Sequence, residues 1–247
     1  MSTPVAIITG AAAGIGAAMV TRFLQDGYRV VAVDRATDPQ DRAPCDNYRY
    51  LQADLAEKSS AQLIITFTQN NFGDADVLIN NAGIGGAKAV DQTDDESWDH
   101  ILNVNLGSVF RLSKAVLPQM IARGSGSIVH ITSVFGLIGF RTTSAYAASK
   151  AAIAGLTQQM TVDYGPKGIR VNAIAPGLIE TAMTEKLLQD PTYRDLMLNG
   201  TPLARTGKPY EVAAAAAFLC SADASFINGQ ILGVDGGWLG TRMKAGV

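Results

Sequence analysis

Pro4-Val-Ala-Ile-Ile-Thr9 runs without a break into Gly10-Ala-Ala-Ala-Gly14-Ile-Gly16. The first six residues are too few for a helix and suit a buried parallel strand. The glycines that follow open a helical segment ending near Gly27. Strand, glycine turn and helix together form a unit that receives a phosphate: the backbone turns tightly, approaches a pyrophosphate closely, and presents it to the positive end of the helix. Gly10, Ala13, Gly14, Ile15 and Gly16 are therefore candidate cofactor contacts. The spacing is G-x-x-x-G-x-G and not the commoner G-x-G-x-x-G, and alone it would serve equally as a plain tight turn.

The chain downstream selects between those readings. Tyr28-Arg-Val-Val-Ala-Val33 predicts a second strand ending at Asp34, eighteen residues past Gly16. A carboxylate near that interval takes the ribose hydroxyls of NAD; the alternative is a strand-end acid facing water. Arg35 beside it is the residue type that accommodates the extra phosphate of NADP. Residues 36–47 hold two prolines and no apolar period, so they read as a loop. A third strand from Tyr48 to Ala53 ends at Asp54-Leu55, a candidate adenine contact or else the cap of a helix from about Glu57 to Phe72. A fourth, Asp76 to Ile79, leads into Asn80-Asn81-Ala82-Gly83, small and amide residues suited to a crevice against which a cofactor lies.

From Asp91 to Arg123 two consecutive helical stretches are expected, although Asn103, Asn105 and Gly107 are poor helix formers. Ser127 to Thr132 predicts a fifth strand that delivers Ser133. His130 within it is flanked by apolar residues with no second ligand pattern nearby, so it reads as a packed core histidine and no metal site is expected. Tyr146-Ala-Ala-Ser-Lys150 opens a helix to about Tyr164, which puts the phenol and the ammonium on one face. A cation beside a phenol lowers its pKa from about 10. Tyr146 then becomes a usable acid or base, with Ser133 placed to hold a substrate oxygen. Ordinary helix-surface pairing would give the same Tyr-x-x-x-Lys spacing. A sixth strand, Gly168 to Ile174, ends at Ala175-Pro176-Gly177. Residues 178–209 become irregular, with short helical pieces, and fit a cover over a substrate site. A last helix, Tyr210 to Cys220, and a last strand, Gln230 to Val234, complete an alternation that implies a doubly wound, mostly parallel seven-stranded α/β sheet.

Composition narrows the function classes. Hydrophobic residues make up 47% and charged ones 17%, as in a globular protein with a large core; the 247 residues suit one domain. Twenty basic against 22 acidic side chains, net −2, provide no electrostatic case for nucleic acid or an anionic membrane. Cys45 and Cys220 lie in unlike contexts and read as reduced thiols. No basic leader precedes the first strand and no apolar run reaches the ~18 residues of a membrane span, so a cytoplasmic protein is expected.

Thr9-Gly10-Ala-Ala-Ala-Gly14-Ile-Gly16, Asn80-Asn81-Ala82-Gly83, Asn105, Ser133, Tyr146-Ala-Ala-Ser-Lys150 and Pro176-Gly177 occur in one order over nearly the whole chain. In this the chain resembles the short-chain dehydrogenase/reductase family. The resemblance implies a Rossmann-type domain, an Asn105-Ser133-Tyr146-Lys150 catalytic set, and nicotinamide-end contacts from Pro176, Gly177, Ile179 and Thr181. It also implies homotetramers formed through the helices starting near Ile101 and Tyr146. The loop at 36–47, where many members have a helix, is a departure. The expected activity is hydride transfer between NAD and a secondary alcohol or ketone. Asn105 would hold a water that links Lys150 to solvent. Two alternatives are an NADPH-dependent reductase of acyl-carrier-protein-linked 3-oxo thioesters and a catalytically silent dinucleotide-binding redox sensor.

Overall fold

The computed structural model describes residues 3–39, 45–86 and 88–240. Seven strands form one parallel sheet: β1 (Val5–Thr9), β2 (Arg29–Asp34), β3 (Tyr48–Gln52), β4 (Val77–Asn80), β5 (Gly126–Ile131), β6 (Ile169–Pro176) and β7 (Ile231–Val234). Their spatial order is β3-β2-β1-β4-β5-β6-β7. The chain thus winds outward one way from β1 and the other way from β4, and the crevice between these two strands opens at their carboxyl ends. Every βαβ crossover returns the chain to the same end of the sheet, so the loops after β1, β2, β4, β5 and β6 converge there.

Alternation along the strands divides the core in two. Ala6, Ile8, Val30 and Ala32 point to one face, where they meet Met19 and Phe23 of α1 (Gly14–Gln25) and Val212 and Ala216 of α8 (Pro209–Cys220). Val5, Ile7, Val31 and Val33 point to the other, against Ile64 of α2 (Ser60–Phe72), Leu112 and Val116 of α4 (Ser108–Arg123) and Met160 of α5 (Ser144–Tyr164). Ile7 and Ile8 are both fully buried. Each such side chain contributes about 1.5–3 kcal/mol, and the strands are held by helices on both faces.

Most expected elements lie within about two residues of the observed ones, but α2 begins at Ser60 and not near Glu57, and the helical stretch expected from Asp91 begins as an α-helix at Asp95. α5 begins at Ser144, two residues ahead of Tyr146, so the tyrosine sits inside a formed turn. Between α3 (Asp95–Leu102) and α4 the chain stays helical: Asn103–Gly107 winds as a π-helical turn. That turn answers the poor helix formers seen there in the sequence. The 178–209 stretch contains α6 (Ala182–Gln189) and α7 (Pro191–Asn199). Of the expected loop at 36–47, residues 36–39 and 45–47 carry no helix or strand, and 40–44 lie outside the described residues. No helix among the described residues is long and apolar enough to cross a membrane.

Candidate active site

The crevice above β1 and β4 is a cleft of about 290 Å³. At one end its wall is backbone. Gly10 has φ +65°, and a β-carbon there would stand 2.8 Å from the Ala82 α-carbon; one on Gly16 would stand 1.9 Å from the Gly10 carbonyl oxygen. Only glycine fits either position. The tips of β1 and β4 are tied together by side chains. Thr9 Oγ1 accepts from the backbone N–H groups of Asn81 (3.0 Å) and Ala82 (3.1 Å), and Asn81 Nδ2 donates to the carbonyls of Thr9 (2.8 Å) and Gly10 (3.1 Å). The first turn of α1 therefore faces the cleft through bare main chain, with the Thr181 side chain opposite Gly14, a cradle that fits a dinucleotide pyrophosphate.

Asp34 ends β2 at the rim of this cradle. Its carboxylate accepts from Ala12 N and Ala36 N, both at 3.0 Å, which fixes its orientation. Asp54 and Leu55 line a second, smaller hollow beside it together with Arg35, Ile84, His100 and Val104. Asp54 Oδ1 accepts from Ala56 N (2.8 Å), closing a turn ahead of α2, whose first residue is Ser60. Asp54 thus lines this second hollow and does not cap the helix.

At the other end the wall is side chains. Ser133 follows β5, its backbone extended and its Oγ accepting from Phe135 N at 3.2 Å, so the hydroxyl proton is left to donate. Tyr146 and Lys150 come from the first two turns of α5. Lys150 is buried; its Nζ donates to the Ile131 carbonyl (2.8 Å) and stands 5.8 Å from the centroid of the Tyr146 ring. Burial pushes the ammonium down to about 8. Burial also raises the Tyr146 phenol above its usual value, and a hydrogen bond from Ser133 pulls it back by less. A Tyr146 pKa lowered by Lys150 is thus not what this structure has. Taking the phenolate out of water outweighs its neighbours, and the ammonium's hydrogen bond goes to main chain.

Asn105 stands behind this pair, fully buried in the π-helical turn. Its Oδ1 accepts from Ile84 N (2.8 Å), while Nδ2 donates to Ile84 O (3.0 Å) and Ser149 Oγ (3.2 Å). Every polar atom of the side chain is committed to protein, so it holds the strand-β4 loop against α5. Above Gly83, a β-carbon would meet Asn105 Oδ1 at 3.3 Å and Lys150 Nζ at 3.4 Å. His130 is the packed core residue expected: fully buried, paired through Nδ1 with Asn80 Nδ2 at 3.1 Å, and pushed down to about 3 by burial and then by the Lys150 charge.

The cleft gathers Gly10, Ala13, Gly14, Ile15, Asp34, Asn81, Ala82, Gly83, Ser133, Tyr146, Lys150, Pro176, Gly177, Ile179 and Thr181. Gly16 and Asn105 shape it from behind. Sequence reasoning missed Ile131, Thr132, Ala182, Met183 and Thr184 on its wall, and Ile84, His100 and Val104 in the second hollow. Thr132 could have been found as the strand-end neighbour of Ser133; the others carry no local signal.

Comparison with known proteins agrees with this geometry. Residues 10–239 match the family model described as enoyl-(acyl carrier protein) reductase. The chain is 41% identical over 244 residues to a 2-(R)-hydroxypropyl-CoM dehydrogenase of Xanthobacter autotrophicus, covering 95% of this chain and 98% of that one. It is 39% identical over 242 residues to a 3-oxoacyl-(acyl-carrier-protein) reductase of Thermotoga maritima, covering 94% and 96%. A 4-hydroxyisoleucine dehydrogenase complexed with NADH superposes with a TM-score of 0.91 at 32% identity, covering 97% of this chain and 100% of that one. The chain belongs to the short-chain dehydrogenase/reductase family and is an oxidoreductase that uses a nicotinamide dinucleotide.

Proposed function

We propose that the protein is an NAD-dependent dehydrogenase that interconverts a secondary alcohol and its ketone, with Tyr146 as the general acid and base. The observation that carries this reading is one cleft with Asp34 at one end and the Ser133–Tyr146–Lys150 group at the other. Asp34 is oriented by two backbone N–H groups and would accept from the adenosine ribose hydroxyls, while repelling a phosphate on the same oxygen. Gly10, Gly14 and the first turn of α1 would hold the pyrophosphate, and Pro176, Gly177, Ile179 and Thr181 the nicotinamide end. The bound cofactor supplies the hydride chemistry. Ser133 donates to the substrate oxygen, stabilising charge that develops there. Tyr146 takes the proton of that oxygen in alcohol oxidation and returns it in ketone reduction. With cofactor bound, Lys150 exchanges the Ile131 carbonyl for the nicotinamide ribose and favours the phenolate. Asn105 holds the relay water through its main chain, since its amide is taken.

Substrate enters under residues 178–209, which act as the cover. The free thiols Cys45 and Cys220 fit a cytoplasmic setting. Exposed Phe110, Ile121 and Val162 on α4 and α5 fit a homotetramer joined through those helices.

A second reading, an NADPH-dependent reductase of acyl-carrier-protein-linked 3-oxo thioesters, is favoured by Arg35 on the adenine-side hollow and by the relative from Thermotoga maritima. A silent redox sensor fits less well, because a sensor has no need of all four catalytic side chains. Secondary alcohols and ketones offered with NAD or NADP, read by nicotinamide absorbance, test the proposal. Oxidation with NAD is expected; turnover only of 3-oxo thioesters, or only with NADP, would overturn it.

A further inference from the structure

Beside Ser133, and joined to it through the Phe135 N–H, lies a group of four aromatic rings drawn from distant parts of the chain. The rings of Phe135 and Phe140 stack at 4.4 Å between centroids; Tyr193 meets Phe140 edge-on at 6.0 Å, and Trp238 meets Phe135 edge-on at 5.9 Å. The chain ties this group to the chemistry. Phe135 is the residue whose N–H binds Ser133 Oγ, and the Phe140 carbonyl accepts from Thr143 Oγ1 (2.8 Å) one residue before the helix that carries Tyr146. Tyr193, on α7, is close enough to Tyr146 for a charge on one phenol to oppose ionisation of the other. All four rings are half-buried, so part of the group's apolar surface remains open.

The polar groups nearby are already occupied. Thr181 and Thr184 bond each other at 3.2 Å, Thr132 Oγ1 donates to the Lys150 carbonyl, and the Asn81 amide is spent on β1. On the flank of the cover, Arg205 pairs with Glu211 (2.7 Å) and Lys208 with Glu180 (2.6 Å). Among the described residues lining the cleft, Asp34 and Lys150 are the charged ones, and Asp34 lies at the far end. A polyol would find few unoccupied partners on this wall, and among the described residues that line the cleft a carboxylate or sulfonate would meet no cation other than Lys150.

Resting on the dehydrogenase reading above, we infer that the preferred substrate is an uncharged secondary alcohol or ketone carrying an aromatic or cyclic apolar substituent, with Tyr193 as a specificity-determining residue. Tyr193 is singled out because it is the one of the four rings carried by residues 178–209, on α7, whereas Phe135 and Phe140 lie between β5 and α5. Rings packed edge to face accept another ring with little rearrangement.

Steady-state kinetics with 1-phenylethanol, 2-propanol, galactitol and 3-hydroxybutyrate test this, using wild type, Tyr193→Ala and Tyr193→Phe, each checked for NADH binding. Wild type should favour 1-phenylethanol by at least ~tenfold in kcat/KM over the others, the low end for an added apolar group in a fitted pocket. Tyr193→Ala should raise KM for 1-phenylethanol while leaving kcat and the constants for 2-propanol within about threefold; Tyr193→Phe should restore the preference. Wild-type preference for galactitol or 3-hydroxybutyrate would overturn the inference and leave the dehydrogenase reading standing. A loss in Tyr193→Phe equal to that in Tyr193→Ala would also overturn it, since the hydroxyl and not the ring would then be selecting. No turnover of any of the four, in either direction and with either cofactor, would take both down.

Discussion

The two ends of the cleft are made of different material. At the end proposed for the nucleotide, Gly10 and Gly16 leave no room for side chains and the Asp34 carboxylate is clamped by backbone N–H groups, so the surface there is fixed by main chain. At the catalytic end, Tyr146, Lys150 and His130 are brought together by side-chain burial that shifts all three. A surface made of backbone needs no tuning, because its dipoles are set by the fold. A surface made of buried ionisable groups is strained electrostatically until a partner arrives. The two should therefore fail differently when altered.

The largest effect is expected from Tyr146→Phe, which keeps the ring and deletes the proton. Turnover should fall at least ~100-fold, the low end for general acid–base catalysis, with cofactor affinity little changed; near-normal turnover would remove Tyr146 from the chemistry. Lys150→Ala should lower kcat by more than about tenfold and move the rising limb of the pH–rate profile for alcohol oxidation to higher pH, because the phenolate loses its cation. A limb that stays in place would confine Lys150 to holding the ribose. Lys150→Arg should not restore full activity, since a planar fork replaces a compact ammonium. The same lysine makes a prediction for binding. Its folded pKa of about 8 lies below the ordinary value, so the ammonium of the free enzyme is lost as pH rises through 8. Cofactor affinity should weaken over that range in wild type and stay flat in Lys150→Ala, as titration by NADH fluorescence would reveal.

The nucleotide end should respond in preference and not in chemistry. Wild type is expected to favour NAD over NADP by at least ~tenfold in kcat/KM, about 1.4 kcal/mol. Asp34→Ser should shrink or invert that ratio, with Arg35 left to meet the phosphate. A wild-type enzyme that prefers NADP would reverse the reading of the pair. Gly10→Ala should act mostly on folding: a β-carbon at φ +65° against the Ala82 α-carbon costs about 1–3 kcal/mol. Thermal unfolding should record a Tm lower by several degrees; an unchanged Tm would mean the cradle is softer than its contacts imply.

The contrast also explains what could be read from the sequence. The nucleotide end is local: strand, glycines and helix lie within residues 4–27, and the acid follows at the next strand's tip, so order and spacing carried the information. Strand positions were equally legible, because burial on both faces of a parallel sheet demands continuous apolar runs. The direction of the Tyr146 shift was not legible. Spacing puts Lys150 on the same helix face, but only the packed structure reveals that the ammonium bonds the Ile131 carbonyl and that the phenol is desolvated. Nor could sequence join Phe135 and Phe140 to Tyr193 and Trp238, four rings united only by the crossovers of the sheet.

The π-helical turn at Asn103–Gly107 can be understood as a trapped insertion. It accommodates one residue more than an α-helix spends on the same advance, and the surplus is what lets Asn105 face inward. Removing any single residue from the turn would let the backbone relax to ordinary helix. α3 and α4 would keep their phase, because the residue removed is the one the wider turn had absorbed. What would be lost is the inward place of Asn105, and with it the bonds to Ile84 and Ser149. The length of this segment is therefore part of what aims that side chain, and a deletion at any of its five positions should cost about as much activity as replacing Asn105 itself.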